Sequence, residues 1–181
     1  MKRNILATTI LLLACGCAAN PVNKRTRTAD SPPLRTEEQL ILDLGDLRTP
    51  AKAAQKNEDV LIGPKEGLQS HKEGLFAGVQ LGKHGDPITK YLWTIDDRGV
   101  NIVLERTPFN TPRGWMTHTN ISSRARFAGE AWFTSPHEVV LNGHSGRFGD
   151  RAAGTDKQYK AAVEYWERLG YEVTEIALGW R

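Results

Sequence analysis

The alternation of apolar and polar residues predicts most of the secondary structure in the second half of the chain. YLWTI (91–95) and VNIVL (100–104) are β-rich runs separated by Asp96-Asp97-Arg98-Gly99, a sequence typical of a hairpin turn. RARFAGEAWF (124–133) alternates as a strand does, and EVVLN (138–142) follows it after a short connection. These runs predict two hairpins of one antiparallel sheet.

Helical patterns occur in two places, each after a capping signal. Thr36-Glu37-Glu38-Gln39 has capping-box spacing before apolar residues, which predicts a short helix that ends near Gly45 or Asp46. Thr155-Asp156-Lys157-Gln158 has the same spacing, and the helix after it should end at Gly170. The expected core-facing residues of this second helix are Tyr159, Val163, Trp166 and Leu169.

The order of these elements indicates the fold class. YEVTEIALGW after the second helix predicts a last strand, so the order from residue 85 is β-β-loop-β-β-α-β. We therefore expect an α+β domain, with a small antiparallel sheet and one C-terminal helix packed on one face.

The first residues, MKRNILATTILLLACGC, read as an export signal. Lys2 and Arg3 precede an apolar run, residues 5–14, that is too short to span a bilayer. Leu12-Leu13-Ala14-Cys15 resembles a bacterial lipobox, which predicts a lipoprotein signal peptide over residues 1–14 and acylation of Cys15. Cys17 is a poorer lipidation site, and an ordinary cleaved signal is the alternative interpretation.

The lipobox also predicts the domain organisation and the location of the protein. Residues 15–84 are expected to form a lipidated tether and linker, and residues 85–181 the α+β domain. Gly16 follows the modified Cys15, and without a retention Asp the usual sorting rule predicts the outer membrane. Cys15 and Cys17 are the only cysteines, so the domain can form neither a disulfide nor a thiolate metal site.

Charge and composition exclude some function classes. The formal net charge is +3, and Lys2 and Arg3, in the signal, supply two of these charges. A mature chain close to neutral lacks a broad electrostatic surface for nucleic acid, but the six arginines between residues 106 and 151 leave a local basic surface open. His118, His137 and His144 have no metal-binding spacing such as HxH or HExxH, so we expect neither a metal nor a cofactor.

Three polar clusters fall within the predicted sheet: Thr117–Asn120, Gly129-Glu130, and Asn142–Arg147. Pairing of the strands around Glu130 and residues 138–142 would bring Glu130 close to the third cluster. Glu130 is then either a solvent-facing strand residue or a partly buried general acid or base. His118 is either a structural residue or its acid–base partner. Ser145 and Arg147 form either a plain turn or an anion-holding loop.

One combination of these residues suits RNA cleavage without a metal. That reaction requires a base for the 2′-OH, an acid for the leaving oxygen and a cation for the phosphate. His118, Glu130 and Arg147 could supply these roles as catalytic residues. Further phosphate or substrate contacts could come from Ser145, Lys90, Arg124 and Arg126.

The segment from about Lys90 to Tyr171 resembles the C-terminal domains of bacterial polymorphic toxins. The resemblance rests on TIDDRGVNIVLERTP, THTNI, AGEAWF, LNGHSGRFG and the closing helix into GYEV. The β-rich order with a His, a Glu and an Arg is similar to the barnase–EndoU–colicin–RelE group of small α+β ribonucleases. In that group the helix commonly precedes the sheet, whereas here the clear helix comes late. The resemblance implies RNA as the substrate.

Together with the lipobox, this domain resembles the swarming-inhibition lipoprotein toxins (SitA type) of myxobacteria. That family passes between kin cells by outer-membrane exchange, and siblings survive through an immunity protein. The resemblance implies two partners, a cognate immunity protein and the membrane that holds the N-terminal lipid. It also implies a toxin domain that acts in the cytoplasm of a recipient cell.

Two other functions fit the same sequence. A non-catalytic outer-membrane lipoprotein with a binding or scaffold domain would agree with the near-neutral charge. An ADP-ribosyltransferase-like toxin would also use Arg, Ser and Glu on a split sheet, and His118 would matter less to it.

Overall fold

In the computed structural model, which describes residues 23–25, 30–51, 67–72, 74–106, 116–149 and 156–176, the chain forms seven strands and three helices. In chain order these are β1 (Asn23–Arg25), α1 (Glu37–Leu44), β2 (Gln69–His71), β3 (Tyr91–Asp96), β4 (Gly99–Leu104), α2 (His118–Ile121), β5 (Phe127–Ser135), β6 (Glu138–Asn142), α3 (Lys157–Arg168) and β7 (Glu172–Glu175).

The strands form one mostly antiparallel sheet in the order β1-β7-β6-β5-β3-β4-β2. Both predicted hairpins are present, and Asp96 pairs with Gly99 where the chain turns between β3 and β4. Strands β6 and β7 are parallel, because α3 carries the chain back across the sheet between them. The expected α+β class, with a C-terminal packing helix, is confirmed.

One face of the sheet carries the main hydrophobic core. Inward-facing residues of β3, β5 and β6 pack with α1 and α3, and the largest of these side chains, Trp93 and Trp166, are fully buried. The rings of Trp93 and Phe127 stack with centroids 5.6 Å apart, and Trp93 meets Trp166 edge-on at 5.8 Å. On the opposite face of the sheet, the described residues include no helix longer than the four-residue α2. The side chains on that face do not belong to the main core.

The two main helices begin and end at local signals. Thr36 caps α1 through a capping box with Gln39, and Gly45 ends it with a φ of 76°, as its position predicted. In α3 the cap is Asp156, whose carboxylate accepts the N–H groups of Gln158 and Tyr159. The predicted box beginning at Thr155 lies partly outside the described residues, and the observed cap is one residue later.

The folded unit includes parts of the predicted linker. Leu40 and Leu44 of α1 are completely buried, Phe76 joins the same core, and β2 pairs with β4. Residues before position 85 therefore contribute to the same core and the same sheet as the residues after it. Leu40 and Leu44 belong to the predicted helix α1, whereas Phe76 lies in the Gly- and Lys-rich part of the linker, where isolated apolar residues give no periodic pattern.

Most of the N-terminal predictions concern residues that the structure does not describe. The signal peptide, Cys15 and Cys17 lie outside the described part of the chain, whereas the backbone of β1 pairs antiparallel with β7 at the edge of the sheet. Among the described helices, none is both long enough and apolar enough to cross a membrane.

Candidate functional site

A polar cluster occupies the middle of the sheet face opposite α1 and α3. Glu130 of β5 points to this face, with Ala128 and Trp132 two residues to either side of it. Its cross-strand neighbours are Leu92 on β3 and Asn142 on β6. The apolar neighbours Leu92, Ala128 and Trp132 belong to three different small buried clusters. Glu130 therefore lies where three apolar patches meet, at a position where a solvent-facing residue would not be expected.

Lys90 is the cation that pairs with Glu130. Its Nζ lies 2.9 Å from Glu130 Oε1 and 2.8 Å from Glu105 Oε1, so one ammonium joins two carboxylates. The exposed fractions of the three side chains are 13% for Glu130, 20% for Lys90 and 23% for Glu105. At this burial the charges are only partly screened by water, so the ion pairs are stronger than pairs on an open surface.

Asn142 completes the surroundings of Glu130. Its Nδ2 donates to Glu130 Oε2 at 2.9 Å, and its Oδ1 accepts the backbone N–H groups of Glu130 and His144, both at 3.0 Å. Burial would raise the pKa of Glu130, but the hydrogen bond from Asn142 and the charge of Lys90 outweigh it, and the pKa lies below its ordinary value. Glu130 is thus held as a carboxylate.

His118 borders this cluster from α2. Its Nε2 lies 2.8 Å from the carbonyl oxygen of Gly129, and because a carbonyl can only accept, Nε2 carries the hydrogen. Burial lowers the pKa of His118 to about 4, against the opposing effects of the Gly129 hydrogen bond and the Glu130 charge. The imidazole is therefore neutral at physiological pH, and its N–H is used to hold α2 against β5.

Gly129 is required by the close packing beneath the cluster. A Cβ atom at this position would lie 2.0 Å from the carbonyl oxygen of Asn142 and 2.8 Å from Cζ2 of Trp93. The indole N–H of Trp93 in turn donates to the Glu130 carbonyl at 3.0 Å. Gly129 thus lies where there is no space for a side chain, and the next residue, Glu130, places its carboxylate on the opposite face of the sheet.

The third predicted cluster forms a turn after β6. Ser145 is completely buried, its Oγ accepts the N–H of Phe148 at 3.1 Å, and its carbonyl accepts the N–H of Gly149 at 2.9 Å. These bonds build the turn. Phe148 closes the turn by packing with Ala125 and Ala128 on the side of the sheet opposite α1 and α3.

The predicted arginines lie along the segment 47–51. The carbonyl oxygen of Arg147 accepts the N–H of Ala51 at 2.7 Å, and the guanidinium of Arg124 donates to the carbonyl of Leu47 at 3.1 Å. Of the predicted site residues, the structure brings together His118, Glu130 and Lys90. Lys90 supplies a cation at Glu130, because the β3–β5 register places the start of β3 beside Glu130.

Sequence reasoning missed Glu105, and it placed Asn142 and His144 in a cluster near Glu130 without giving either a role at the carboxylate. Asn142 could have been found by pairing β5 with β6 in register, which places it opposite Glu130. Glu105 follows β4 as Lys90 precedes β3, so the hairpin itself predicts that the two are neighbours. His144, half-buried beside Asn142, interacts electrostatically with both Glu130 and His118.

His84 lies at the edge of the same face. Its ring meets Trp132 edge-on, with centroids 4.6 Å apart. Burial lowers the pKa of His84, while the nearby carboxylate of Glu130 opposes this effect. The face around Glu130 is therefore bordered by imidazoles from three different segments, His84, His118 and His144.

The cluster offers a carboxylate, an ammonium and imidazoles, which are the groups of acid–base chemistry. Within the described ranges, no group of three or more His, Cys, Asp or Glu side chains is arranged to hold a metal ion. Comparison with protein-family models, with curated proteins and with solved structures found no match to the chain.

Proposed function

We propose that this chain is a lipid-anchored toxin delivered between neighbouring bacteria, whose folded domain is a metal-independent ribonuclease. The observation that supports a catalytic domain is the Glu130–Lys90 ion pair at the meeting point of three apolar clusters. Removing charged groups from water is costly, and apolar residues of similar size would stabilise this face at least as well. Buried charges that are kept in such a place are typical of a functional site.

In the proposed reaction Glu130 is the general base. Its pKa lies below the ordinary value, so the side chain is ionised at neutral pH and can accept a proton from a ribose 2′-OH. The 2′ oxygen then attacks the adjacent phosphorus, and the bond from phosphorus to the 5′ oxygen of the next nucleotide breaks. Lys90 is placed to stabilise the negative charge that develops on the phosphate oxygens.

We assign the general acid to His144 and a positioning role to His118. The leaving 5′ oxygen needs a proton, and His144 is half-exposed, whereas His118 is buried and its Nε2–H is bonded to Gly129. The backbone N–H groups of His144 and Glu130 share the oxygen of Asn142, which places the two residues side by side. The products would be a 2′,3′-cyclic phosphate and a free 5′-OH.

The membrane part of the proposal depends on the N-terminal sequence. The lipobox at Cys15 supports acylation, an outer-membrane location and attachment through acyl chains. A toxin of this type requires a cognate immunity protein in the producing cell. We expect the Cys15→Ser variant to lose the hydrophobic modification. Detergent phase partitioning of the expressed protein measures this loss.

A growth experiment tests the catalytic proposal. Residues 18–181, which include every described residue, are induced in a bacterial cytoplasm beside the Glu130→Gln variant, which keeps the shape of the side chain and removes its charge. We expect growth arrest and degraded total RNA with the parent, and normal growth and intact RNA with the variant. Asp97→Asn, which removes the charge of an exposed ion pair with Arg126, serves as the matched control and should arrest growth like the parent.

A non-catalytic binding domain is the second candidate. Both oxygens of Glu130 are already bonded within the protein, as they would be in a purely structural network. Normal growth with the parent and both variants, at equal soluble expression, would favour this candidate over the ribonuclease.

A further inference from the structure

Lys90 is held between two carboxylates that are bound very differently. Glu130 is fixed by Lys90 at one oxygen and by Asn142 at the other, and its backbone N–H is bonded to the same Asn142. The described side-chain contacts of Glu105 consist of a single ion pair, at 2.8 Å to Lys90. Glu105 is also the more exposed of the two, at 23% against 13%.

The backbone at Glu105 is nevertheless well fixed. Its N–H donates to the carbonyl of Lys90 at 2.8 Å, and its carbonyl accepts the N–H of Met116 at 2.7 Å. Rotation about the side-chain bonds alone can therefore move the carboxylate away from Lys90, and no strand pairing has to break. The equivalent movement of the Glu130 carboxylate would break its hydrogen bond from Asn142 as well as the ion pair with Lys90.

We infer that the Glu105 carboxylate occupies, in the free domain, the place at Lys90 where a substrate phosphate binds, and that it must swing away before RNA can enter. The inference rests on the proposed function and adds a regulatory step to the same site. A carboxylate and a phosphate oxygen make the same kind of bond to an ammonium group, so an internal carboxylate can stand in for the ligand.

The charges of the site support this competition. With Glu105 in place, two carboxylates surround one ammonium, and the net negative charge repels a phosphodiester. When the Glu105 side chain turns outward, Lys90 faces the site with only Glu130 as its partner. A strongly anionic ligand, RNA or inorganic phosphate, is therefore needed to replace Glu105, and neutral ligands should not displace it.

The test is a titration of residues 18–181 with inorganic phosphate, followed by the indole N–H signals of Trp93 and Trp132 in NMR spectra. Trp93 is bonded to the Glu130 carbonyl and Trp132 lies two residues along the strand, so both report on the site. Glu105→Gln should bind phosphate about fivefold more tightly than the parent, because the competing ion pair is gone. Asp97→Asn loses one negative charge and one ion pair elsewhere, and should bind as the parent does.

The outcomes separate this inference from the proposed function. Equal phosphate affinity in the parent and Glu105→Gln overturns the inference, whether or not the protein cleaves RNA. An equal gain in Glu105→Gln and Asp97→Asn also overturns it, since the effect would then be one of overall charge. Tighter binding in Glu105→Gln alone supports the inference. If the variant binds phosphate more tightly but neither it nor the parent cleaves RNA, the anion site stands and the ribonuclease proposal is wrong.

Discussion

Asn142 and Glu130 form a reciprocal pair across β5 and β6. The amide of Asn142 donates to the Glu130 carboxylate at 2.9 Å and accepts the Glu130 backbone N–H at 3.0 Å. The amide can do both at once, because its NH₂ group supplies the donor for the first bond and its oxygen the acceptor for the second. The pair therefore fixes both the position and the ionisation of Glu130, and it can be tested by replacing the donor without changing the shape.

Asn142→Asp should destabilise the protein increasingly as the pH rises. Two carboxylates at this distance cannot both be ionised, so the pKa of Glu130 would rise well above its ordinary value. In acid both carboxyls are protonated in the folded and unfolded chains, and the cost is small. Above the ordinary pKa the unfolded chain releases a proton that the folded variant keeps, and we expect a loss of about 2 kcal/mol by pH 8.

Urea unfolding at about pH 4.5 and pH 8 measures this difference. Asn142→Ala, which loses the amide but adds no charge, is the control, and its deficit should depend much less on pH. A deficit in Asn142→Asp that is the same at both pH values would show that Glu130 and residue 142 are not electrostatically coupled.

The hairpins and the helices could be predicted because their signals are local. Alternating strands, a turn with Gly99 and a capping box each act within a few residues of the chain. The site was only half predicted. Glu130 was singled out for its apolar neighbours, but its partners come from elsewhere in the sheet, because Lys90 directly precedes β3 and Asn142 ends β6. Finding them required the register between strands, which the pattern of a single strand does not determine.

The loop around Ser145 illustrates the same limit. Its Gly-rich sequence fitted a plain turn and an anion-holding loop equally well. In the structure its serine is buried and bonded to the turn that it begins, and this turn is closed by Phe148. A turn stabilised by its own hydrogen bonds and a turn that binds a phosphate use the same residue types, so composition alone could not distinguish them.

His118 should make the stability of the folded domain fall in mild acid. Its pKa is about 4 in the folded protein, whereas an imidazole in the unfolded chain has its ordinary pKa of 6.5. As the pH falls below 6.5 the unfolded chain gains a proton that the folded chain does not, so unfolding becomes easier until about pH 4. The contribution of His118 to this loss should be about 2 kcal/mol at pH 5.

Comparison with His118→Gln isolates this contribution. Burial also lowers the pKa of His71 and His84, so both histidines add to the acid sensitivity of the parent and of the variant alike. The free energy of unfolding should therefore fall less between pH 7.5 and pH 5 in His118→Gln than in the parent. Equal falls in the two proteins would mean that His118 is not buried in its neutral form.

Ser145→Ala should affect stability and not catalysis. The Ser145 hydroxyl accepts the N–H of Phe148, and its loss leaves that buried N–H without this partner, at a cost of about 1 kcal/mol. If Ser145 only builds the turn, RNA cleavage per folded molecule should be unchanged. A large fall in the turnover rate at full folding would instead return Ser145 to the set of substrate-binding residues.

Gly129→Ala should disrupt both the core and the site, because the backbone there has no space for a methyl group. The added Cβ would lie 2.0 Å from the Asn142 carbonyl oxygen and 2.8 Å from Trp93, so β5 and β6 would have to separate. We expect a loss of about 3 kcal/mol or more, with cleavage activity lost as Asn142 moves from Glu130. Gly146→Ala is the matched control, because a Cβ atom there would meet no heavy atom within 4 Å. Thermal unfolding of both variants provides the measurement. Similar melting temperatures for the two would be incompatible with the close approach of β6 and Trp93 to Gly129, on which the geometry of the site depends.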